Sequence, residues 1–239
     1  MARFFLSRYG RYTELAVLIA LGVALSSLAA GCSQGRLPEN RPVGEATPPP
    51  SGPGWENLLD AAHYTDWKTV KGADVFRIED GVLHIPGSVR GGYAGYMREK
   101  LGDFELHIEF KVAKGSNSGV FVRSPAEDPV FRGMEIQVLG DYGYAPSTHS
   151  SGALYDVASP MFNMSRPCGE WNSYDITCQS RHIDVRMNGW KVVDVDLSAL
   201  TMPVGKFPTP FAELATEGYV FLQDHHNEVW YRNIRVKKL

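Results

Sequence analysis

The feature that most narrows what this chain can fold into is a period-two alternation of apolar and polar residues, repeated in short runs punctuated by Gly, Asn, Asp and Pro. Successive side chains of an extended chain point to opposite faces, so such runs are half-buried strands. In Phe104-Glu105-Leu106-His107-Ile108-Glu109-Phe110 the apolar residues share one face and the polar ones the other. Residues 182–187 and 190–197 are two further runs, joined by Asn188-Gly189, a pair that accepts the positive φ angles of a type I′ hairpin turn. Strands are also predicted at 75–78, 82–85, 119–123, 134–139, 152–155, 174–179, 219–225 and 229–236. Helix has room only at 55–61 and 198–200. The pattern therefore predicts an all-β fold, a two-sheet antiparallel β-sandwich of jelly-roll type.

The N-terminal residues obey different rules. Arg3, Arg8 and Arg11 precede an apolar run over 15–30 that is too short and too rich in small residues to span a membrane stably, so 1–31 reads as a targeting segment. It ends in Leu28-Ala29-Ala30-Gly31-Cys32, which resembles the lipobox of bacterial lipoproteins. The resemblance implies that Cys32 carries diacylglycerol and is a membrane anchor, each buried methylene adding about 0.8 kcal/mol. Ser33 resembles the sorting signal that favours the outer membrane, so the domain is expected at the cell envelope, lipid-anchored and facing the periplasm or the exterior. Residues 32–54, with Pro48-Pro49-Pro50 at their centre, lack the apolar side chains that offset ordering entropy and read as a disordered tether. Residues 55–239 then form a single domain.

An exported chain permits disulfides. Cys168 and Cys178 remain after lipidation and allow one pairing, either a disulfide or two buried thiols. The net charge of −3 and the absence of a dense Lys/Arg stripe argue against nucleic acid as a partner, because phosphate neutralisation needs a basic face.

Strand parity collects candidate site residues. Asn117, Gly119, Phe121 and Arg123 share one face of their run; Glu135 and Gln137 project together; Gln223 and His225 lie with Phe221, opposite Val220 and Leu222. A face carrying amides, one Arg, one carboxylate, one His and nearby aromatics such as Tyr155 and Trp171 suits a carbohydrate, whose hydroxyls need partners and whose ring faces stack. The same residues also suit the solvated outer faces of ordinary strands.

In chain order, the segments Phe76-Arg77-Ile78-Glu79-Asp80-Gly81-Val82-Leu83, Gly102-Asp103-Phe104-Glu105-Leu106, Asn117-Ser118-Gly119-Val120-Phe121-Val122-Arg123, Glu135-Ile136-Gln137-Val138-Leu139, Gly152-Ala153-Leu154-Tyr155, Pro167-Cys168-Gly169-Glu170-Trp171-Asn172, Leu222-Gln223-Asp224-His225 and Val229-Trp230-Tyr231-Arg232-Asn233-Ile234 resemble the 3-keto-disaccharide hydrolase domain family, a laminin-G and concanavalin A-like sandwich. The resemblance covers nearly all of 55–239. Two departures stand out: Cys168 occupies a position where a small residue is commoner, and His226-Asn227 replaces a Gly-containing turn.

The resemblance implies cleavage of glycosides whose sugar carries a 3-ketone. That ketone acidifies the C2 hydrogen, so one base can start an elimination that expels the C1 oxygen, and a carboxylate pair is unnecessary. Related retaining glucanases carry Glu-x-Asp-x-x-Glu on one strand; the matching run Glu135-Ile136-Gln137-Val138-Leu139-Gly140 lacks the second and third acids. A two-carboxylate glucanase is disfavoured accordingly. Either Glu135 or His225 serves as general base, and Arg123 meets the developing enolate oxygen. Asn117, Gln137, Tyr155 and Gln223 hold hydroxyls, with His149 a further acid–base or binding candidate. No cofactor is expected. Asp141 and Asp224 are the carboxylates open to a Ca2+ ion, although no calcium-loop spacing is present. His/Cys zinc spacing, a phosphate loop and a Gly-x-Ser-x-Gly elbow are missing. The competing reading is a non-catalytic carbohydrate-binding or adhesion module of the same fold.

Overall fold

The computed structural model describes residues 44–88 and 90–239. The targeting segment, Cys32 and the first part of the tether lie outside the described residues. The strands are β1 (Trp55–Asn57), β2 (Trp67–Val70), β3 (Arg77–Glu79), β4 (Val82–Ile85), β5 (Arg90–Leu101), β6 (Phe104–Val112), β7 (Asn117–Ser124), β8 (Met134–Leu139), β9 (Trp171–Gln179), β10 (His182–Met187), β11 (Trp190–Asp196), β12 (Gly218–His225) and β13 (Val229–Lys238). Among the described residues one short α-helix, α1 (Pro129–Arg132), interrupts them, with single 3-10 turns at Tyr64–Asp66, Leu197–Ala199 and Phe211–Glu213, the second of which overlaps the helix predicted at 198–200.

These strands form two antiparallel sheets. One has the order β11-β10-β9-β6-β13-β4-β3, with β1 also on β13; the other is β2-β5-β12-β7-β8. The predicted alternation fills the space between them: Leu106, Ile108 and Phe110 from β6 and Ile183 and Val185 from β10 meet Val120 and Val122 from β7, Ile136 and Val138 from β8 and Val220 and Leu222 from β12, all buried. Each such side chain contributes about 1.5–3 kcal/mol on burial. The Tyr174 hydroxyl, donating to the Gln137 carbonyl at 2.6 Å, and the Ser118 hydroxyl, donating to the Gln223 carbonyl at 2.6 Å, tie the core to the backbone of the second sheet.

The Asn188-Gly189 turn is as predicted, with φ of 50° and 81° and Met187 facing Trp190. Residues 55–61 depart from the helical expectation. Beyond the stretch where β4 pairs Val229 to Arg232, the edge of β13 is free, and Trp55, Glu56 and Asn57 complete it opposite Lys237, Val236 and Arg235. The predicted strand at 152–155 is reduced to isolated bridges of Leu154 with Ile136 and Ala158. Strand β5 escapes the pattern search because Gly91, Gly92 and Gly95 dilute its alternation, yet it pairs with both β2 and β12.

Residues 44–54, inside the stretch read as tether, lie against the first sheet. The Thr47 backbone N–H donates to Ser173 Oγ at 2.8 Å, and its hydroxyl donates to Asp175 Oδ2 at 2.9 Å. Arg235 donates to the Pro50 carbonyl at 3.2 Å.

The disulfide alternative is corrected: Cys168 and Cys178 are both free thiols, the first exposed and the second buried. Cys168 precedes β9, whereas Cys178 sits near its far end. About seven strand rises of ~3.4 Å separate the two ends, far beyond the reach of a disulfide.

Candidate active site

The second sheet turns one face to the core and leaves the other available. On that outer face Tyr93, Phe121 and Phe221 form an aromatic floor, the Tyr93 ring meeting the others edge-on at 5.6 and 6.1 Å between centroids. The floor depends on two glycines. A Cβ on Gly95 would lie 2.6 Å from the Phe221 ring, and one on Gly119 would lie 2.6 Å from Glu135 Oε1.

Above this floor is a cleft of about 230 Å³, lined from β7 by Asn117, from β8 by Glu135, from β12 by Gln223 and His225 and from a surface loop by Tyr155. Parity had picked out Asn117, Glu135, Gln223 and His225 from separate strands, and the structure brings these four together with Tyr155. Gln137, also buried, donates to Asn117 Oδ1 at 3.4 Å and so stands behind it. The Asn117 N–H donates to Asn227 Oδ1 at 3.1 Å, so the His226-Asn227 departure pins the turn after β12 to the start of β7.

Glu135 is 2% exposed, and its Oε2 accepts a hydrogen bond from Lys206 Nζ at 2.5 Å. Burial raises the Glu135 pKa and the neighbouring ammonium opposes that rise. Lys206 also sits 4.0 Å above the Tyr155 ring centroid. Its position is set by Asp156, whose carboxylate accepts from the Lys206 backbone N–H at 2.8 Å and from His149 at 2.5 Å. Burial pushes the Asp156 carboxyl up, but His149 and the Lys206 N–H outweigh it and leave the pKa lowered. His149 thus lies at the rim, its ring 4.6 Å from that of Tyr155. Gly205, at φ +54°, allows the approach, because a Cβ there would meet Asp156 at 2.3 Å. The Tyr155 N–H, donating to the Glu135 carbonyl at 2.9 Å, fixes the loop onto β8.

Arg123 does not join the site. Its φ of +49° and the register shift between β7 and β12 break parity and turn the side chain away from the cleft. It is 2% exposed and donates to the Gly102 and Ser180 carbonyls and to Asp103 at 2.7–2.8 Å. Parity also missed Lys206, Tyr93, Arg90 and Lys71, all of which line the cleft. Lys206 lies in a loop, where no periodicity applies. Tyr93 and Arg90 belong to β5, whose Tyr93-x-Gly95-x-Met97 spacing held the missing signal. The Tyr93 phenol is pushed up to about 12 by burial, against a lowering contact from Gln223.

The carboxylates open to calcium are otherwise engaged: Asp141 accepts from the Ser151 N–H at 2.9 Å and Asp224 from the His226 N–H at 2.9 Å. Among the described residues, no group of three or more His, Cys, Asp or Glu is arranged to hold a metal. A wider depression of about 530 Å³, bordered by Arg166, Glu170 and Trp171, contains a closed Arg166–Glu170 ion pair at 2.5 Å.

A polar cleft with a buried carboxylate and an aromatic floor, on the outer face of one sheet of a β-sandwich, suits a carbohydrate ligand, and the relatives of this chain support a glycosidic-bond hydrolase. The chain belongs to the 3-keto-alpha-glucoside-1,2-lyase-like domain family, whose profile matches residues 54–237. It is 29% identical to a 3-keto-disaccharide hydrolase of Bacteroides thetaiotaomicron over 233 residues, 80% of each chain. Among solved structures, a Parabacteroides distasonis protein described as a candidate glycosyl hydrolase superposes with a TM-score of 0.67 at 28% identity, over 77% of this chain and 99% of that one. A second protein of that organism, at 22% identity and a TM-score of 0.66 over 78% and 94% of the two chains, shares the fold.

Proposed function

We propose that this chain cleaves 3-keto-glycosides by elimination, with Glu135 as the base. Glu135 Oε1, the oxygen not bonded to Lys206, takes the C2 proton acidified by the neighbouring ketone. The electron pair forms a C1–C2 double bond as the C1–O bond breaks, and the leaving oxygen takes a proton from His225 or solvent. Water then adds across the double bond and completes the hydrolysis. Lys206 sits where negative charge develops on the ketone oxygen, the role the sequence had assigned to Arg123. Asn117, Gln223 and Tyr155 hold hydroxyls.

The observation that carries this reading is that Glu135 is the only carboxylate lining the cleft among the described residues, and an ammonium occupies one of its oxygens. A two-carboxylate glycosidase needs acids about 5–9.5 Å apart on either side of the scissile bond. The cleft offers a base and a cation instead.

The test is turnover of a 3-keto-glucoside and its unoxidised parent in deuterated water. Only the ketone is cleaved, with deuterium at C2 of the product, and Glu135→Gln loses about 10²–10⁴-fold in rate. Wild type that binds both sugars and cleaves neither points to a carbohydrate-binding module instead. We also propose that Cys32 anchors the enzyme at the cell envelope; the pattern of 1–31 supports this, and loss of lipid labelling in Cys32→Ala tests it.

A further inference from the structure

The charge lining the cleft is lopsided. Lys71, Arg90, Lys206 and His225 face a single carboxylate, Glu135, and that carboxylate is committed to Lys206. Neither Lys71 nor Arg90 forms an ion pair among the described residues, in a chain whose net charge is −3. Glu127 and Asp128 line an adjoining hollow that shares Lys71, Tyr93 and Val130 with the cleft, but neither acid pairs with Lys71, and Asp128 Oδ1 caps α1 by accepting from the Phe131 N–H.

The two cations are held together by local backbone geometry. Arg90 opens β5 directly opposite His225 of β12, and the register shift there falls at Gly91, which has φ +75°. A Cβ on Gly91 would lie 3.8 Å from Lys71 Nζ, an ordinary contact distance, which sets the lysine end beside the residue that follows Arg90. Lys71 itself adopts φ +62° at the turn leaving β2. Clefts with walls of low dielectric focus the field of such unpaired charges onto a ligand.

Their place in the sheet says which part of a ligand they meet. Glu135 is on β8 and Arg90 on β5, and the order β5-β12-β7-β8 puts three strand spacings between their backbones, about 14 Å, so the two side chains enter the cleft from opposite ends. The end of the cleft remote from Glu135, where Lys71 and Arg90 stand, is the place for the unit joined to the sugar that reacts at Glu135.

We propose that the cleft selects 3-keto-glycosides whose leaving unit bears an anionic group, a carboxylate or a phosphate, and that Lys71 and Arg90 are the specificity-determining residues; this rests on the proposed function above. Neither residue touches the reacting atoms. Their contribution is to hold the charged leaving unit and, through it, the ring over Glu135.

The experiment compares three 3-keto-glucosides that differ only in leaving unit: glucose, glucuronic acid and glucose 6-phosphate. Wild type is expected to favour one or both charged forms by about tenfold in kcat/KM, the scale of two partly exposed charge contacts. Which of the two is favoured separates carboxylate from phosphate recognition. The preference should shrink towards unity in Lys71→Gln/Arg90→Gln and, for wild type, in high salt. Equal turnover of all three, or a preference for glucose, overturns the inference while leaving the proposed function standing. Turnover of none overturns both. The salt dependence of wild type keeps the test decisive should the double variant fail to fold.

Discussion

The ammonium of Lys206 and the carboxylate of Glu135 meet at 2.5 Å across a sequence separation of 71 residues. Strand β8 supplies one partner and an irregular loop the other, and Asp156 links them by binding the Lys206 backbone N–H. The pair places a proton acceptor and a fixed positive charge side by side above an aromatic floor.

The pH dependence follows from this pair. Burial raises the Glu135 pKa and Lys206 opposes the rise. A base works only when deprotonated, so kcat/KM is lost as pH falls through the pKa of the folded state. In Lys206→Met the burial is no longer opposed, the pKa climbs, and the acid limb moves to higher pH while the plateau falls about 10²-fold or more. A pH–rate profile of both proteins checks this; an unmoved acid limb counts against Glu135 as the base.

Gly119→Ala tests the geometry of the floor. The added methyl would lie 2.6 Å from Glu135 Oε1 and 3.1 Å from the Phe121 ring. Overpacking of this kind costs about 1–3 kcal/mol and displaces the carboxylate. The expected result is a folded protein by circular dichroism whose kcat drops about 10²-fold, the scale of a misplaced catalytic group.

Arg123→Ala is expected to act on stability. It leaves the Gly102 and Ser180 carbonyls without their side-chain donor and Asp103 with the Ser180 N–H alone. The cost is about 1–3 kcal/mol, the scale of buried acceptors left without a donor, read as a fall in the denaturant midpoint. KM of the remaining folded enzyme should match wild type, because the side chain does not reach the cleft.

Acid sensitivity arises on the opposite sheet. Burial pushes Glu109 up, but the neighbouring His107 and hydrogen bonds from Asn233 and Arg232 outweigh it and hold the carboxyl at about 2. Because its folded pKa lies below the unfolded value, the stabilisation is present above about pH 4.5 and is lost as pH falls towards 2, at most about 3 kcal/mol. Glu109→Gln should be less stable at neutral pH and show a flatter acid limb in urea titrations.

Thiol labelling checks the cysteine assignment. Cys168 is exposed, whereas the Cys178 thiol is buried and pushed up to about 12. In native protein the exposed Cys168 reacts with a maleimide, more slowly than a free thiol because burial raises its pKa, and Cys178 reacts only after unfolding.

Much of this molecule was legible from residue order alone. Alternation such as that of 104–110 depends on burial of one face, a local consequence of backbone geometry, so β6, the Asn188-Gly189 hairpin and the polar faces of Glu135, Gln223 and His225 could all be read directly. Parity fails where a bulge resets it, as at Arg123, whose left-handed φ sends a predicted ligand group into a structural network. It is also blind to loops. Lys206 has no period to reveal it, and its place beside Glu135 exists only because Gly205 lets the chain press against Asp156. Strand identity is thus a property of short segments, whereas the charge balance of the cleft depends on which distant segments the closed sandwich brings within a few ångströms of one another.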